Sequence, residues 1–236
     1  MKLCLYAPSA IPGLQPGKHN LKDPRLDQAD QLVEAKKKTY VQIDLMDAED
    51  LVDAEAVLVP VDQRADLILR DLELIETRLG RTPPEAEKTA LLKLQQALEA
   101  ERFVSGVELD EPERQAIAVH AFVTAKPIVV ATPEEFSAPD SLLLRAYREA
   151  GFITFLTVGG KENRAWRIRR GCTAWEAAGT VHSDMQKGFI RAEIIGWDDF
   201  VAQGGETGAK RAGKQRLETK TYVLQDCDVV NFRFNK

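Results

Sequence analysis

Short apolar runs alternate with helical patterns over the first two thirds of the chain. The runs are rich in Val, Ile and Leu and span residues 2–6, 39–46, 56–61 and 127–131. Such runs separated by helices are typical of a parallel α/β sheet, because each parallel connection needs a long crossover, usually a helix. The pattern therefore predicts a small parallel sheet in this part of the chain.

Two amphipathic helices are predicted between residues 66 and 102. Apolar residues recur at spacings of four, three and four from Ile68 to Leu79, and Leu91, Leu94 and Leu98 follow at spacings of three and four. The link Gly80–Pro84 contains one glycine and two prolines, so the two helices are predicted to form a hairpin. The hairpin serves either as core packing or as a recognition coiled coil. Further helices are predicted at residues 112–122 and from Asp140 or Ser141 to Gly151.

The pattern changes at Phe152. Five strand-like runs surround one short predicted helix, residues 173–180, and a glycine-rich stretch at 204–213 predicts a long loop. A separate α+β domain is therefore predicted at 152–236, after an α/β domain at 1–65 and 103–151 and the hairpin at 66–102. The runs are residues 152–158, 163–169, 188–195, 221–225 and 228–234.

Charge divides the chain in the same way. The net charge is −5, but residues 1–151 carry −9 and residues 152–236 carry +4. Opposite signs indicate two bodies with different partners. Neither a membrane span nor a signal peptide is predicted, so a cytoplasmic protein is expected. Cys4, Cys172 and Cys227 are widely spaced, which predicts buried structural thiols instead of disulfides or a zinc site.

The segment APSAIPGLQPGKH, residues 7–19, follows the first apolar run and raises the question of a phosphate-binding loop. A P-loop requires G-x-x-x-x-G-K-[ST], whose backbone N–H groups surround the phosphates. Here Pro12 stands five positions before Gly17, and His19 follows Lys18. Three prolines also remove N–H donors from the segment. Lys18 is therefore predicted to be a cation in a Pro/Gly-rich turn.

A series of short motifs runs in order through the carboxyl-terminal domain. They include Arg164–Trp166, Ala177–Gly179, Val181–Asp184, Gly188–Glu193, Asp198–Phe200, Gly208–Lys210, Ala212–Lys214, Arg216–Glu218 and Asp228–Asn235. With these motifs the domain resembles the TGS domain of the YchF/Obg-like ATPases over more than twenty ordered positions, across nearly all of residues 152–236, and the resemblance implies a β-grasp fold. The fold class expected for the whole chain is then a reduced parallel α/β sheet derived from a P-loop NTPase, with a helical hairpin insertion, followed by a TGS-like β-grasp domain.

Upstream the resemblance continues at residues 23–27, 69–79 and 124–127, but the family's nucleotide motifs do not match. Alignment from the first strand places the P-loop glycines on Ala7 and Pro12, the lysine on Gly13 and the magnesium-binding hydroxyl on Leu14. The D-x-x-G switch falls on residues 47–50, where Asp50 replaces the glycine. The base-reading N-x-x-E would lie near residues 131–134, which contain no Asn.

These losses predict a chain that does not hydrolyse nucleotides and needs no cofactor, because phosphoryl transfer depends on positioned Lys and Mg²⁺. If a nucleotide still binds, Lys18 and His19 are the candidate side chains for its phosphates. Asp44 and Asp47 are candidate metal ligands, but hard cations usually collect more oxygen atoms, so no metal is predicted.

Basic residues of the carboxyl-terminal domain are the candidate surface for RNA or a partner protein. Strand alternation places Arg167 and Arg169 on one face, opposite Trp166 and Ile168. Exposed cations that bind nothing would give the same pattern, and the resemblance, whose family associates with ribosomes, favours RNA. Trp166 and Trp197 are predicted to be core residues and His182 a loop residue. The candidates are Arg164, Arg167, Arg169, Arg170, Lys210, Arg211, Lys214, Arg216 and Lys220.

Three functions are compatible with the sequence. The first is a non-hydrolysing binding protein that associates with the ribosome, structured RNA or a translation partner. The second is a protein with residual ATP or GTP binding around Lys18. The third is a small-ligand sensor, since β-grasp regulatory domains can bind metabolites, although no residue indicates which ligand.

Overall fold

The computed structural model describes residues 1–7 and 11–235. The helices in these ranges are α1 (Pro24–Leu32), α2 (Arg64–Leu79), α3 (Glu85–Glu99), α4 (Glu111–Ile117), α5 (Pro133–Phe136), α6 (Pro139–Glu149), α7 (Ala174–Val181), α8 (Ser183–Lys187), α9 (Trp197–Ala202) and α10 (Glu206–Arg211). The strands are β1 (Lys2–Leu5), β2 (Gly17–Asn20), β3 (Lys38–Thr39), β4 (Gln42–Met46), β5 (Ala56–Pro60), β6 (Ile128–Ala131), β7 (Phe152–Thr157), β8 (Asn163–Arg169), β9 (Phe189–Ile195), β10 (Arg216–Glu218) and β11 (Val229–Phe234).

The chain divides into two compact units. The first contains Met1–His19 and Ile43–Leu142, and the second contains Asn20–Gln42 and the residues from Leu143 onward. The predicted boundary at Phe152 therefore differs from the observed division, because residues 20–42 and 143–151 pack with the carboxyl-terminal domain.

The first sheet has the strand order β2, β4, β1, β5, β6. β1 is parallel to both β4 and β5, and β5 is parallel to β6, so the predicted parallel α/β sheet is confirmed. The apolar run 39–46 is not one strand, however. β4 joins this sheet, whereas β3 pairs with β8 in the second sheet.

Helices α2 and α3 pack together as predicted, and α4 completes their core. Ile75, Leu91 and Leu94 are fully buried between the helices, and Ile117 at the end of α4 belongs to the same cluster. α4 is shorter than predicted and begins with a capping box between Asp110 and Glu113. The hairpin is therefore part of a small helical core.

A buried carboxylate joins the two arms of the hairpin near their connection. Glu87 at the start of α3 accepts hydrogen bonds from Arg78 Nε at 2.5 Å and from the His120 ring at 2.8 Å. The hydrogen bonds from Arg78 and then His120 outweigh the effect of burial and lower the pKa of Glu87 from 4.5 to about 2.

Acid is expected to weaken this junction. A carboxyl whose pKa is lower in the folded state stabilises the fold above its unfolded pKa, and this contribution disappears as the pH falls. The free energy of unfolding should therefore decrease between pH 4.5 and about 2, and Glu87→Gln should lower it at neutral pH and flatten that decrease. Urea denaturation over a pH series measures both effects. Glu85→Gln, an exposed residue in the same helical turn, is the control, and an unchanged acid limb in Glu87→Gln would contradict the assignment.

The second sheet has the order β10, β9, β11, β7, β8, β3. β7 and β8 form an antiparallel hairpin, β11 is parallel to β7 and antiparallel to β9, and α7 covers one face. Ala174, Ala177 and Ala178 are fully buried on this face, where small side chains let the helix approach the sheet. This mixed sheet around a helix confirms the predicted β-grasp architecture.

Two predictions for this unit are wrong. Residues 221–225 are not a strand, because their backbone hydrogen bonds go to the turn before α7 and to its first residues; Ala174 N donates to Tyr222 O. The predicted loop at 204–213 contains α10. Gly205 and Gly213 have positive φ angles and make turns, but Gly208 lies inside the helix, where a Cβ atom would stand 1.8 Å from Gln203 O.

Residues 20–42 form part of the second unit and include α1, which the sequence pattern did not predict. Leu26 and Ala29 of α1 are fully buried, and β3 extends the sheet beside β8. Asn163 of β8 is also fully buried, and its amide donates to Asp30 at 2.7 Å and to Val33 O at 2.6 Å. The carboxyl-terminal sheet is therefore completed by an amino-terminal segment.

An arginine with two carboxylate partners holds this segment. Arg25 Nη1 donates to Asp226 at 2.8 Å, and Nη2 donates to Asp23 at 2.6 Å. Although burial lowers the pKa of Arg25, the hydrogen bonds to Asp23 and Asp226 raise it overall. Asp226 also accepts from Thr154 N at 3.0 Å, so the ion pairs connect residues 23–25 to β7.

Candidate functional site

A cavity of about 370 Å³ lies at the carboxyl ends of β1 and β4 in the first unit. Ligands of open α/β sheets usually bind at this edge. The lining carries two carboxylates, and no Lys or Arg is among the described lining residues. These residues are Leu5, Ala7, Leu14, Gln15, Pro16, Leu45, Met46, Asp47, Ala48 and Glu49.

Leu14 occupies the cavity wall and is 1% exposed. Its neighbour Gly13 has a φ of 82°, and the turn is closed by a hydrogen bond from Leu14 N to Ile11 O at 3.1 Å. Residues 8–10 of the predicted loop lie outside the described residues. The apolar side chain offers no oxygen to a magnesium ion at this position.

The two candidate phosphate ligands lie elsewhere. Lys18 and His19 belong to strand β2, so the predicted Pro/Gly-rich turn at Lys18 is wrong. Lys18 is exposed, and the His19 ring makes a 2.6 Å hydrogen bond to Gln15 O. Neither residue is among those lining the cavity.

The candidate metal ligands are separated in the same way. Asp47 lines the cavity, whereas Asp44 lies within β4 and is not among the lining residues. Among residues 1–7 and 11–235, no group of three or more His, Cys, Asp or Glu side chains is arranged to hold a metal ion.

The three cysteines are free thiols. Burial raises the pKa of Cys4 and of Cys172 to about 11 and that of Cys227 to about 12. Since the thiolate is the reactive form, these raised pKa values keep the thiols protonated near neutral pH; Cys4 and Cys227 are buried as predicted, whereas Cys172 is half-buried.

The first basic cluster lies along β8 and just beyond its end. The guanidinium groups of Arg167 and Arg169 lie 4.9 and 3.8 Å from the centre of the Phe152 ring, so they share one face as the alternation predicts. Arg164 stacks on Trp166 at 4.0 Å, and Arg170 is exposed just after the strand. This end of the sheet thus presents planar cations on aromatic rings, an arrangement that holds guanidinium groups in place.

The second basic cluster lies at the opposite side of the sheet. Three of its cations pair with carboxylates: Lys210 with Glu206 at 2.5 Å, Lys214 with Asp199 at 3.1 Å, and Arg216 with Glu218 at 3.4 Å. Arg211 and Lys220 are exposed, and neither forms an ion pair with any described residue. β8 and β10 are four strand positions apart, about 19 Å at the usual strand spacing. The structure therefore does not bring the two clusters together.

The tryptophans differ in exposure. Trp166 and Trp197 are both half-buried. Trp166 donates to Thr157 Oγ1 at 2.9 Å, and Trp197 stacks with Phe200.

His182 lies between α7 and α8, where its ring accepts from Asp184 N at 3.1 Å. Trp175, which was not among the predicted site residues, is 44% exposed on α7. The signal that could have found it is helical period, because Ala174, Ala177 and Ala178 define the buried face and exclude position 175.

Relatives with known names match much of the chain. The ribosome-binding ATPase YchF of Haemophilus ducreyi is 32% identical over 253 residues, and the match covers 79% of this chain and 70% of that protein. The chain belongs to the YchF family.

A second member, the ribosome-binding ATPase YchF of Bacillus subtilis, is 32% identical over 235 residues, which cover 72% of this chain and 64% of the relative. The chain thus spans about two thirds of the length of these YchF proteins. A family model, YchF-GTPase_C, described as a protein of unknown function (DUF933), matches residues 152–235. The resemblance stated from the sequence is confirmed.

Solved structures agree with this YchF assignment at the level of the fold. The YchF GTPase of Schizosaccharomyces pombe has a TM-score of 0.73 and 16% identity, with coverage of 98% of this chain and 97% of that structure. A GTP binding protein from Pyrococcus horikoshii has a TM-score of 0.53 and 14% identity, and the match covers both chains completely. The expected fold class is therefore confirmed. No helix of the described residues is long and apolar enough to span a membrane.

Proposed function

We propose that this YchF-family chain is a non-hydrolysing cytoplasmic protein that binds the ribosome, or a structured RNA or translation partner, through its TGS-like carboxyl-terminal domain. The observation that carries the proposal is the cavity beside β1. Leu14 stands where the family's motif has the magnesium-binding hydroxyl, and Asp47 and Glu49 are the charged groups of the described lining. Carboxylates without a neighbouring cation repel a triphosphate.

The basic surface supports the second half of the proposal. Residues 152–236 carry a net charge of +4 while the rest of the chain is acidic. Exposed Arg and Lys bind nucleic acid backbones by releasing counterions, and the relatives in Haemophilus ducreyi and Bacillus subtilis are named as ribosome-binding.

Sedimentation with ribosomes tests this function. The chain is expected to co-sediment at low salt and to dissociate as the salt concentration rises, because each phosphate contact adds to the salt dependence. The double variant Arg211→Ala and Lys220→Ala should weaken binding and reduce the salt slope by about 2. Lys88→Ala, an exposed lysine on α3 of the first unit, is the matched control. Absence from the ribosomal pellet even at low salt would contradict the proposal.

Residual nucleotide binding is the second candidate, and the open cavity at the strand ends favours it. Under that hypothesis Mg-ATP or Mg-GTP gives a binding heat in calorimetry that Lys18→Ala weakens. Our proposal expects no such heat for the wild-type chain. Because Lys18 does not line the cavity, heat that persists in Lys18→Ala but disappears in Gln15→Glu, which adds a third carboxylate to the lining at an exposed residue, would assign the nucleotide to the cavity itself and refute our account of it.

A further inference from the structure

Trp175 is an exposed aromatic ring held on a rigid support. Thr173 caps α7 with a capping box to Glu176, and the alanines of the helix are fixed against the sheet. The indole at position 175 therefore projects from the first turn of a well-anchored helix and remains 44% exposed. An exposed tryptophan on a fixed support offers a flat apolar face without first having to become ordered.

The neighbouring segment brings cations to the same place. Trp175 N donates to Lys220 O at 3.2 Å, and Ala174 N donates to Tyr222 O at 2.8 Å, so residues 220–222 run along the start of α7. The Arg216 guanidinium lies 5.6 Å from the Tyr222 ring and donates to its hydroxyl at 3.0 Å. Lys220 is exposed and makes no ion pair with the described residues.

An apolar edge completes this face. Val223 forms an isolated bridge with Thr173 and is 42% exposed. The nearby carboxylates are already engaged: Glu176 accepts from the Thr173 backbone and hydroxyl, and Glu218 pairs with Arg216. We call Trp175, Lys220, Arg216 and Val223 the Trp175 face.

We propose that the Trp175 face binds an unpaired nucleotide of RNA, with its base stacked on the indole and its phosphate contacted by Lys220. This inference rests on the proposed function and specifies the kind of RNA. Inside a duplex both faces of each base are covered by its neighbours, and the sides of the duplex present phosphates and groove edges, so a single exposed ring stacks most readily on an unpaired base. Stacking on aromatic side chains tolerates any base, so the subsite selects single-stranded over double-stranded RNA instead of a sequence.

The test uses the full chain and a labelled (CA)6 RNA, which cannot form Watson–Crick pairs, with a duplex of the same length as the comparison. Fluorescence anisotropy at low salt should show that the wild-type chain binds (CA)6 more tightly than the duplex. Trp175→Ala should weaken this binding about tenfold, the loss typical of one stacked base, and should leave duplex binding unchanged. Trp175→Phe should retain most of the affinity, because it keeps an aromatic face.

Leu217→Ala is the control for a general loss of exposed apolar surface. Leu217 is 62% exposed on β10 and pairs opposite Glu193, so the alternation directs it away from the α7 side of the sheet. Unchanged circular dichroism of each variant shows that folding is retained. A wild-type chain that does not prefer (CA)6, or a Trp175→Ala variant that binds it normally, overturns the subsite.

Ribosome sedimentation separates the two proposals. If the wild-type chain sediments with ribosomes while Trp175→Ala leaves (CA)6 binding intact, the subsite fails and the proposed function stands. If Trp175→Ala abolishes sedimentation and the wild-type chain ignores (CA)6, the face contacts the ribosome without an unpaired nucleotide, and the RNA subsite is overturned. If the wild-type chain does not sediment at all, the proposed function fails, and the (CA)6 measurement alone decides the subsite.

Discussion

Asp71→Ala is expected to lower the free energy of unfolding of the first unit by about 3–5 kcal/mol. Asp71 is 1% exposed, and its carboxylate accepts from Val123 N at 2.9 Å, Thr124 N at 2.8 Å and Thr124 Oγ1 at 2.7 Å. Alanine leaves two backbone N–H groups buried without an acceptor, and each such group costs about 1–3 kcal/mol. Thr124 Oγ1 also accepts from Val104 N at 3.1 Å, so the loss extends along the chain.

Urea denaturation followed by circular dichroism measures this loss. Asp66→Ala, which removes an exposed carboxylate from the first turn of the same helix, should change the free energy of unfolding by less than about 0.5 kcal/mol. Asp71→Asn keeps one oxygen as an acceptor and should fall between the two. Equal stability of Asp71→Ala and Asp66→Ala would mean that the buried carboxylate does not anchor the helix.

Arg25→Ala should destabilise the second unit by about 2–4 kcal/mol and release residues 20–42 from it. Removal of the guanidinium leaves Asp23 and Asp226 facing each other without their shared cation. Arg148→Ala is the matched control, since Arg148 lies 3.9 Å from the same Asp23 but is largely exposed, and its loss should cost less than about 1 kcal/mol. Limited proteolysis within residues 20–42 that becomes faster in Arg25→Ala alone would support this role.

The same ion pairs set a pH dependence. Burial raises the pKa of Asp226, but the hydrogen bonds from Arg25 and Thr154 N lower it by a larger amount. The pKa of Asp226 therefore lies below the usual 3.8. The stabilisation is therefore complete above that value and is lost as the pH falls below it. In Arg25→Ala this part of the acid limb should flatten; an acid limb identical to the wild type would contradict it.

Period and spacing predicted the parallel sheet, the helical hairpin and an α+β domain after Phe152, because each of these buries one regular face. The β-grasp fold of that domain was implied by the family resemblance. The failures have local causes. Both sheets take strands from the single run at residues 39–46, and nothing in its composition marks the break. The glycine-rich composition suggested a loop at Gly208, but this residue lies within α10 at a position where Gln203 O leaves no room for a Cβ atom.

The candidate site was less predictable than the fold. The proposed replacements of P-loop residues could be read directly from the sequence, because those positions are defined by residue type. Leu14 and Asp47, which align with two of the nucleotide motifs, both lie at the cavity. The sequence could only group the basic residues by their positions along the chain. The strand order of the second sheet shows that the two basic clusters lie on opposite sides of that sheet. Trp175 was missed because the whole of α7, an eight-residue helix with three alanines, resembles a core helix in composition. Only the helical period of its buried alanines shows that position 175 faces solvent.

The discontinuous second unit has a consequence for biosynthesis. Thr39 precedes its hydrogen-bonding partner Glu162 by 123 positions. At about 5–20 residues per second, translation takes several seconds to reach β8 after β3 has been made. During that delay α1 and β3 lack the surface against which they pack, so the parallel sheet of the first unit can form earlier, and the grasp sheet closes only after its last strand has emerged.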